Sequence, residues 1–391
     1  MLLYDKKLET NMPDYGIRIP MSPSRSGKIL RYLEECRRGF PLLSLEEAAR
    51  GLGLDSPLLF REDLERVHQR EFVARLYDDP RHLEKELLKT YELIKPDGTY
   101  NRYEPDKAVK ALEELFKTIL YRVSGSYLAC RLALEGREKI PGKFQGGVPQ
   151  EHFCFYLGGG QHHGRYDSGS GFCLLNDVIL AARKIQAEGR AELIWIIDVD
   201  AHKGDGSAEL VKFSRDRGET FVGKDPEIVT LSVHMASGWP LDSESIAGAE
   251  QGRAPLVESD IDIPIAEHEE ALYVSRLTEG LRDLEKRSGH RKPGLVIVVD
   301  GVDVYEKDGL ASTALIALSK EQCLERDRLI FSFLLDRGLP LKFGRIGFRP
   351  CAAKNGLYDT ASRSAHQARK GPERSNTPGK AGDLPILITQ Y

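Results

Sequence analysis

The chain lacks several things, and each absence narrows what it can be. Its six cysteines, Cys36, Cys130, Cys154, Cys173, Cys323 and Cys351, contain no CxxC pair and no regular spacing. That argues against a disulfide framework or a thiolate zinc site and for reduced intracellular thiols, so a cytoplasmic location is expected. No apolar run approaches the length of a membrane span, and the opening MLLYDKKLETNMPD becomes charged too soon for a signal peptide. Positive charge is not in excess either: 56 Lys and Arg against 60 Asp and Glu give a formal net charge of −4. Neither nucleic acid nor an anionic membrane is attracted globally, so partners must be recognised locally. GxGxxG and GxxxxGK[ST] are both missing, which leaves the glycine run at 158–160 a weak phosphate signal. No repeat of fixed period occurs.

What is present suits one large domain, since 391 residues with 41% hydrophobic content can bury a sizeable core. Apolar residues at helical spacing predict helices over 26–37, 59–76, 104–135, 174–188, 269–286 and 320–337. Between them, short β-rich runs lie at 152–157, 192–200, 227–234, 260–265 and 294–300. Near-continuous apolar strands alternating with helices predict an α/β fold, a three-layer α/β/α architecture with a mostly parallel central sheet. In such sheets the ligand site lies beyond the carboxyl ends of the strands. The composition shifts near Lys342, and 362–383 is rich in Ser, Arg, Lys, Gly and Pro. Too little apolar area is left there to offset the entropy of ordering, so a domain over 1–348 and a poorly ordered or aberrant tail over 349–391 are expected.

Three segments carry chemistry. In IIDVDAHKGDG an apolar strand runs into Asp198, Asp200, His202 and Asp205. Residues at i, i+2 and i+4 of an extended chain share a face, so Asp198, Asp200 and His202 are expected to project together. Oxygen and nitrogen donors without thiolate suit a catalytic Zn²⁺, Fe²⁺ or Mn²⁺ better than a structural zinc. In LGGGQHHG, three glycines after a strand deliver His162 and His163, and imidazole is the side chain best suited to moving protons near neutral pH. In GLVIVVDGVD a further buried strand delivers Asp300 and Asp303, and either aspartate could complete a three-ligand site with an open position.

Taken together, GGGQHHG, SGFCLLND, DVDAHKGDG, LSVH and DGVDVYEKDGL, in that order from about residue 121 to 310, resemble the histone deacetylase family within the arginase/deacetylase fold. The resemblance implies a zinc-dependent deacetylase that hydrolyses the amide of an acetylated lysine, in a protein or peptide, or of a small acetylated amine. It makes Asp200, His202 and Asp303 the metal ligands, for Zn²⁺ or Fe²⁺. It makes His163 the general base and His162 its charge-stabilising neighbour, oriented by Asp205 and Asp198 respectively. Asp198 and Ser232, with backbone carbonyls around Asp200, His202 and Val233, match a structural K⁺ site. Gly171, Phe172 and Trp239 resemble the walls of an apolar channel for the acyl-lysine stem. Leu310 stands where polyamine-specialised relatives carry a glutamate.

The chain departs from this pattern twice. Lys203 replaces a common second histidine. Active members usually carry an oxyanion-donating tyrosine in a glycine-rich loop, but LPLKFGRIGFRP offers Phe348, and losing one such donor costs on the order of a hundredfold to a thousandfold in rate. A Tyr-to-Phe branch, rescue by Tyr358, and a C-terminus altered by a shifted reading frame all fit. Two other functions stay open: a catalytically weak acyl-lysine binder, and a dinuclear manganese ureohydrolase on the same fold.

Overall fold

A computed structural model describes residues 1–19, 25–35, 42–135, 153–216, 227–242, 256–339 and 341–344. Its strands are β1 (Leu2–Leu3), β2 (Leu42–Leu43), β3 (Phe153–Tyr156), β4 (Leu193–Asp198), β5 (Glu227–Met235), β6 (Ile261–Ile265), β7 (Leu295–Val299) and β8 (Leu341–Gly344). They form one sheet in the order β2-β1-β3-β8-β7-β4-β5-β6, and every pairing is parallel. Successive strand residues point to opposite faces, and β4 shows where each face goes. Ile194 and Ile196 enter one apolar core, while Leu193, Trp195 and Ile197 enter a second. In β7 the split is the same, with Leu295, Ile297 and Val299 on one side and Val296 and Val298 on the other. Two cores on two faces of one sheet make the three-layer α/β/α architecture.

The helices are α1 (Arg25–Glu35), α2 (Leu45–Gly51), α3 (Arg61–Glu65), α4 (Arg70–Tyr77), α5 (Pro80–Thr90), α6 (Glu114–Glu135), α7 (Asp177–Ala187), α8 (Asp205–Asp216), α9 (Tyr273–Arg287) and α10 (Lys320–Leu335). Helix α6 is buried on nearly all sides from Arg122 to Ala133, the pattern of a helix enclosed by its neighbours. Gly125 lets it approach β3: a Cβ there would fall 2.3 Å from the Tyr156 ring, whose hydroxyl donates 2.8 Å to the Arg122 carbonyl. On the other face Trp195 is fully buried, and its indole N–H donates 2.7 Å to Ser288 Oγ at the end of α9.

Several boundaries differ from the sequence expectation. The single helix expected over 59–76 is two, because Gln69 N donates 2.8 Å to the Tyr166 carbonyl and turns the chain between α3 and α4. The helix expected from 104 starts at Glu114, after a 3₁₀ turn led by Pro105. Helices α2, α5 and α8 and strands β1, β2 and β8 were not expected. The first two helices carried readable caps, a Ser44/Glu47 capping box and Asp79 before Pro80. Residues 349–391, with the expected tail, and Phe348 lie outside the described residues.

Candidate active site

Three strand ends converge here. Strand β4 stops at Asp198 and the chain bends through Asp200 and His202 into α8. Its neighbour β7 stops at Val299, and the loop that follows brings in Asp303. Beyond β3, the glycine run leads to His162 and His163. Candidate ligand atoms of Asp200, His202 and Asp303, all three buried, lie within 4.8 Å of one another. His202 Nδ1 is 3.2 Å from Asp200 Oδ1 and 3.1 Å from Asp303 Oδ2. Asp300 points elsewhere: it pairs with the fully buried guanidinium of Arg326 from α10. Asp198 is not one of the clustered donors, although it and Asp200 both face His162. Its Oδ2 instead holds His162 Nδ1 at 2.6 Å, and its Oδ1 accepts from Asp200 N at 3.1 Å.

The histidines sit side by side, ring centroids 3.9 Å apart. His163 Nδ1 is 2.8 Å from Asp205 Oδ1, and His162 Nε2 is 3.8 Å from Asp200 Oδ1. Burial opposes charge on His162, but Asp198 and Asp200 outweigh it and hold the imidazolium up to about 10. Burial likewise opposes charge on His202, and its bonds to Asp200 and Asp303 raise it. Cys173, also buried nearby, is pushed up by desolvation and is no thiolate nucleophile.

Two buried carboxylates converging on one imidazole nitrogen fit a divalent cation with an oxygen and nitrogen donor set. One buried oxygen beside Asp198 is left over. Ser232 is the register partner of Asp198, and its buried Oγ has no hydrogen-bond partner among the described residues. A cation would satisfy that oxygen.

Of the expected channel residues, Gly171 and Trp239 meet at the histidines. The Trp239 ring stands 4.5 Å from His163 and 5.7 Å from His202, centroid to centroid. A Cβ on Gly171, at φ +52°, would fall 2.3 Å from Trp239 Cη2 and 2.7 Å from His163 Cδ2, so only glycine allows this approach. Phe172, at φ +63°, stacks on Tyr91 at 6.1 Å. Leu310 is half-buried in a turn whose Asp308 Oδ1 accepts its N–H at 2.9 Å.

Sequence reasoning gave no role to several supporting groups. Asn176 Nδ2 donates 3.2 Å to the carbonyls of His162 and of Gly164, and its Oδ1 caps α7. Asp177 accepts from the N–H groups of Gly160 and Gln161 at 2.7 and 2.5 Å. Both lie in the quoted SGFCLLND segment, so the signal was in hand. Arg165, held by Glu209 at 2.7 Å, places its guanidinium 3.9 Å from Asp205. Lys203 is buried against Asp262, which also accepts from His234 at 3.1 Å.

His68 links the α3–α4 turn to the histidine loop. Its Nδ1–H donates 2.7 Å to the Arg165 carbonyl, and its Nε2 accepts from Asn176 N at 3.1 Å, so the ring is bound as the neutral form. Burial lowers its pKa to about 4, against the opposing pull of the Arg165 carbonyl. The unfolded chain therefore takes up a proton that the folded chain refuses between about pH 6.5 and about pH 4. Stability from this site is complete above that window and falls by about 3 kcal/mol as pH drops through it. Urea titrations across the window should show this slope, and His68→Gln should flatten it. An unchanged slope in the variant refutes the assignment.

Comparison with known proteins agrees with this geometry. The family model described as "Histone deacetylase domain" matches residues 19–336, well beyond the stretch that carried the motifs. An uncharacterised protein of Picosynechococcus is 32% identical over 223 residues, covering 57% of this chain and 59% of that protein. Arabidopsis thaliana histone deacetylase 2 is 26% identical over 220 residues, covering 56% and 46%. Acetoin utilization protein AcuC of Staphylococcus aureus is 29% identical over 156 residues, covering 40% and 36%. The chain thus spans about half the length, or less, of these relatives. The crystal structure of acetylpolyamine aminohydrolase from Burkholderia pseudomallei superposes with a TM-score of 0.56 at 16% identity, over 88% of this chain and 92% of that one, and so shares the arginase/deacetylase fold. With the family model covering most of its length, the chain belongs to the histone deacetylase family.

Proposed function

We propose that the chain is a metal-dependent deacetylase that hydrolyses the amide of an acetylated lysine or a related acetylated amine, with residues 1–348 as its catalytic domain. The observation that carries this reading is the convergence of Asp200, His202 and Asp303 beside two histidines, each tied to its own aspartate. A divalent cation, Zn²⁺ or Fe²⁺, held by the three ligands would supply positive charge that acidifies water and polarises an acetyl carbonyl. His163, oriented through Nδ1 by Asp205, takes a proton from the attacking water and later returns one to the leaving amine. His162, held by Asp198, stabilises the charge that develops on the carbonyl oxygen. Gly171, Phe172 and Trp239 wall the channel for the substrate's methylene stem, with Leu310 at its edge, and K⁺ binds at Asp198 and Ser232. Acetate and a free amine are the products.

The substrate reading favours acyl-lysine over a polyamine, because Leu310 offers a polycation no carboxylate. A two-manganese ureohydrolase fits less well, because Lys203, an ammonium already paired with Asp262, stands where a second ligand would be needed, and because two adjacent histidines face the cluster. The test is metal analysis and acetate release on the same purified sample, with an acetyl-lysine peptide and an acetylated polyamine. One Zn²⁺ or Fe²⁺ per chain and peptide hydrolysis blocked by a hydroxamate are expected. Two Mn²⁺ per chain, or no hydrolysis of either substrate by metal-loaded protein, would overturn the reading.

Phe348 in place of the usual tyrosine makes a second expectation. Trifluoroacetyl-lysine should turn over much faster than acetyl-lysine, because its more electrophilic carbonyl makes up part of a donor worth on the order of a hundredfold to a thousandfold. Equal, fast turnover of both would show that another group donates that hydrogen bond.

A further inference from the structure

The two ring nitrogens of His202 have different surroundings. Nδ1 lies 3.2 and 3.1 Å from oxygens of Asp200 and Asp303, on the side where the three donors converge. Nε2 lies 3.3 Å from Ser312 Oγ, and no other described polar atom stands within hydrogen-bond reach of it. Its remaining neighbours are rings, Trp239 at 5.7 Å and His163 at 6.1 Å between centroids. An imidazole binds a cation through a lone pair, so a ring that offers Nδ1 must carry its proton on Nε2. A buried N–H left without an acceptor is costly, so this proton needs a partner.

We infer that Ser312 is a positioning residue for the cation site: its hydroxyl accepts the Nε2–H of His202, fixing the tautomer and ring plane that leave the Nδ1 lone pair to the cation. This rests on the reading of Asp200, His202 and Asp303 as cation ligands. At 3.3 Å the bond is long, as suits a group that orients a ring more than it binds it.

The chain builds this support locally. Ser312 lies in the 3₁₀ turn Ala311–Thr313, in the loop that also supplies Asp303. Tyr305 O accepts from Asp308 N at 2.8 Å, and Leu310 O accepts from Thr313 N at 3.1 Å and from Thr313 Oγ1 at 2.8 Å. Further on, Leu318 N donates 2.8 Å to Val304 O and closes the loop. One closed loop therefore carries a ligand and the orienter of a second ligand that comes from β4.

The test uses the full chain as wild type, Ser312→Ala and Ser312→Thr, each stripped of metal with a chelator. Zn²⁺ affinity is measured by competition with a chromophoric chelator, Co²⁺ coordination by visible absorption, and stability of the metal-free proteins by thermal melting. Ser312→Ala should weaken Zn²⁺ binding roughly tenfold to a hundredfold and alter the Co²⁺ spectrum, the usual consequence of losing an outer-shell partner. Ser312→Thr, which keeps the hydroxyl, should bind close to wild type, and all three metal-free proteins should melt together. Wild-type affinity in Ser312→Ala overturns the inference. So does an equal loss in Ser312→Thr, or a loss matched by lower metal-free stability. Wild-type protein that takes up no cation overturns the ligand reading itself, whereas normal wild-type uptake with an unaffected alanine variant removes only the role of Ser312.

Discussion

Replacing His163 with alanine is expected to lower deacetylation of an acetyl-lysine peptide by roughly 10²- to 10⁴-fold while leaving the protein folded and its cation bound. The size follows from the proposed role of His163 as the group that moves protons at the reacting water. Survival of the fold follows from what stays behind. Asp205, left without the imidazole 2.8 Å away, keeps the Arg165 guanidinium at 3.9 Å, itself anchored on Glu209 at 2.7 Å. The buried carboxylate is therefore not stranded, and the cost to stability should be that of a small cavity beside Trp239. Cation content should be unchanged, since His163 is not among the clustered donors. Asp205→Asn should cost less than His163→Ala, because the base remains and only its orientation is loosened. The measurements are kcat/KM, bound metal and melting temperature on each variant. Activity of wild-type magnitude in His163→Ala would remove the residue from the chemistry. Lost activity with lost metal would instead make it a structural support of the cation site.

How much of this was legible in sequence depended on how local the cause was. Strands β4 and β7 were readable because burial on both faces leaves them almost wholly apolar. Two-residue strands such as β1 and β2 are too short to show any period, and they exist because β3 offers an edge. The break between α3 and α4 was hidden because the apolar spacing continues through it. The bonds that turn the chain, from Gln69 to Tyr166 and from His68 to Arg165, reach almost a hundred residues ahead. The same distinction holds at the site. The donor-rich run after β4 was visible as a run, but the run itself did not say that Asp200 and His202 would meet Asp303 while Asp198 took His162. Residue types alone could not choose between Asp300 and Asp303, and the resemblance to a family made the choice. The physical reason is Arg326 on α10, which takes Asp300 and so leaves Asp303 to face His202. The supports of Lys203 and His202, Asp262 and Ser312, were equally invisible, since each lies on a different element.

Lys203 is one of the two places where the chain departs from the expected pattern, and its substitution carries the largest expected loss of stability. The side chain is 3% exposed and its ammonium meets Asp262, which also takes bonds from His234 Nε2 at 3.1 Å and Ser259 N at 3.0 Å. Burial by itself would raise the Asp262 carboxyl, but the bonds from His234 and Lys203 outweigh it and hold it down at about 2. Lys203→Met keeps much of the apolar stem and deletes the charge, leaving Asp262 partly buried without its cation. Breaking a fully buried pair from one side costs about 3–5 kcal/mol, and the low end of that range is expected here, because Asp262 is partly exposed and keeps His234 and Ser259 N. Removing both charges, in Lys203→Met with Asp262→Leu, takes away the uncompensated carboxylate and should recover a large part of that loss, because the partners are coupled. Urea unfolding of wild type, both singles and the double closes the cycle. The consequence extends to function, since Lys203 follows His202 directly and its carbonyl accepts from Asp205 N at 2.8 Å. A loop tied to β6 through Asp262 holds both His202, the proposed ligand, and Asp205, the proposed orienter of the base, so the single variant should also bind Zn²⁺ more weakly. Strictly additive losses, with the double variant as unstable as the two singles summed, would show that the ammonium and the carboxylate do not stabilise each other.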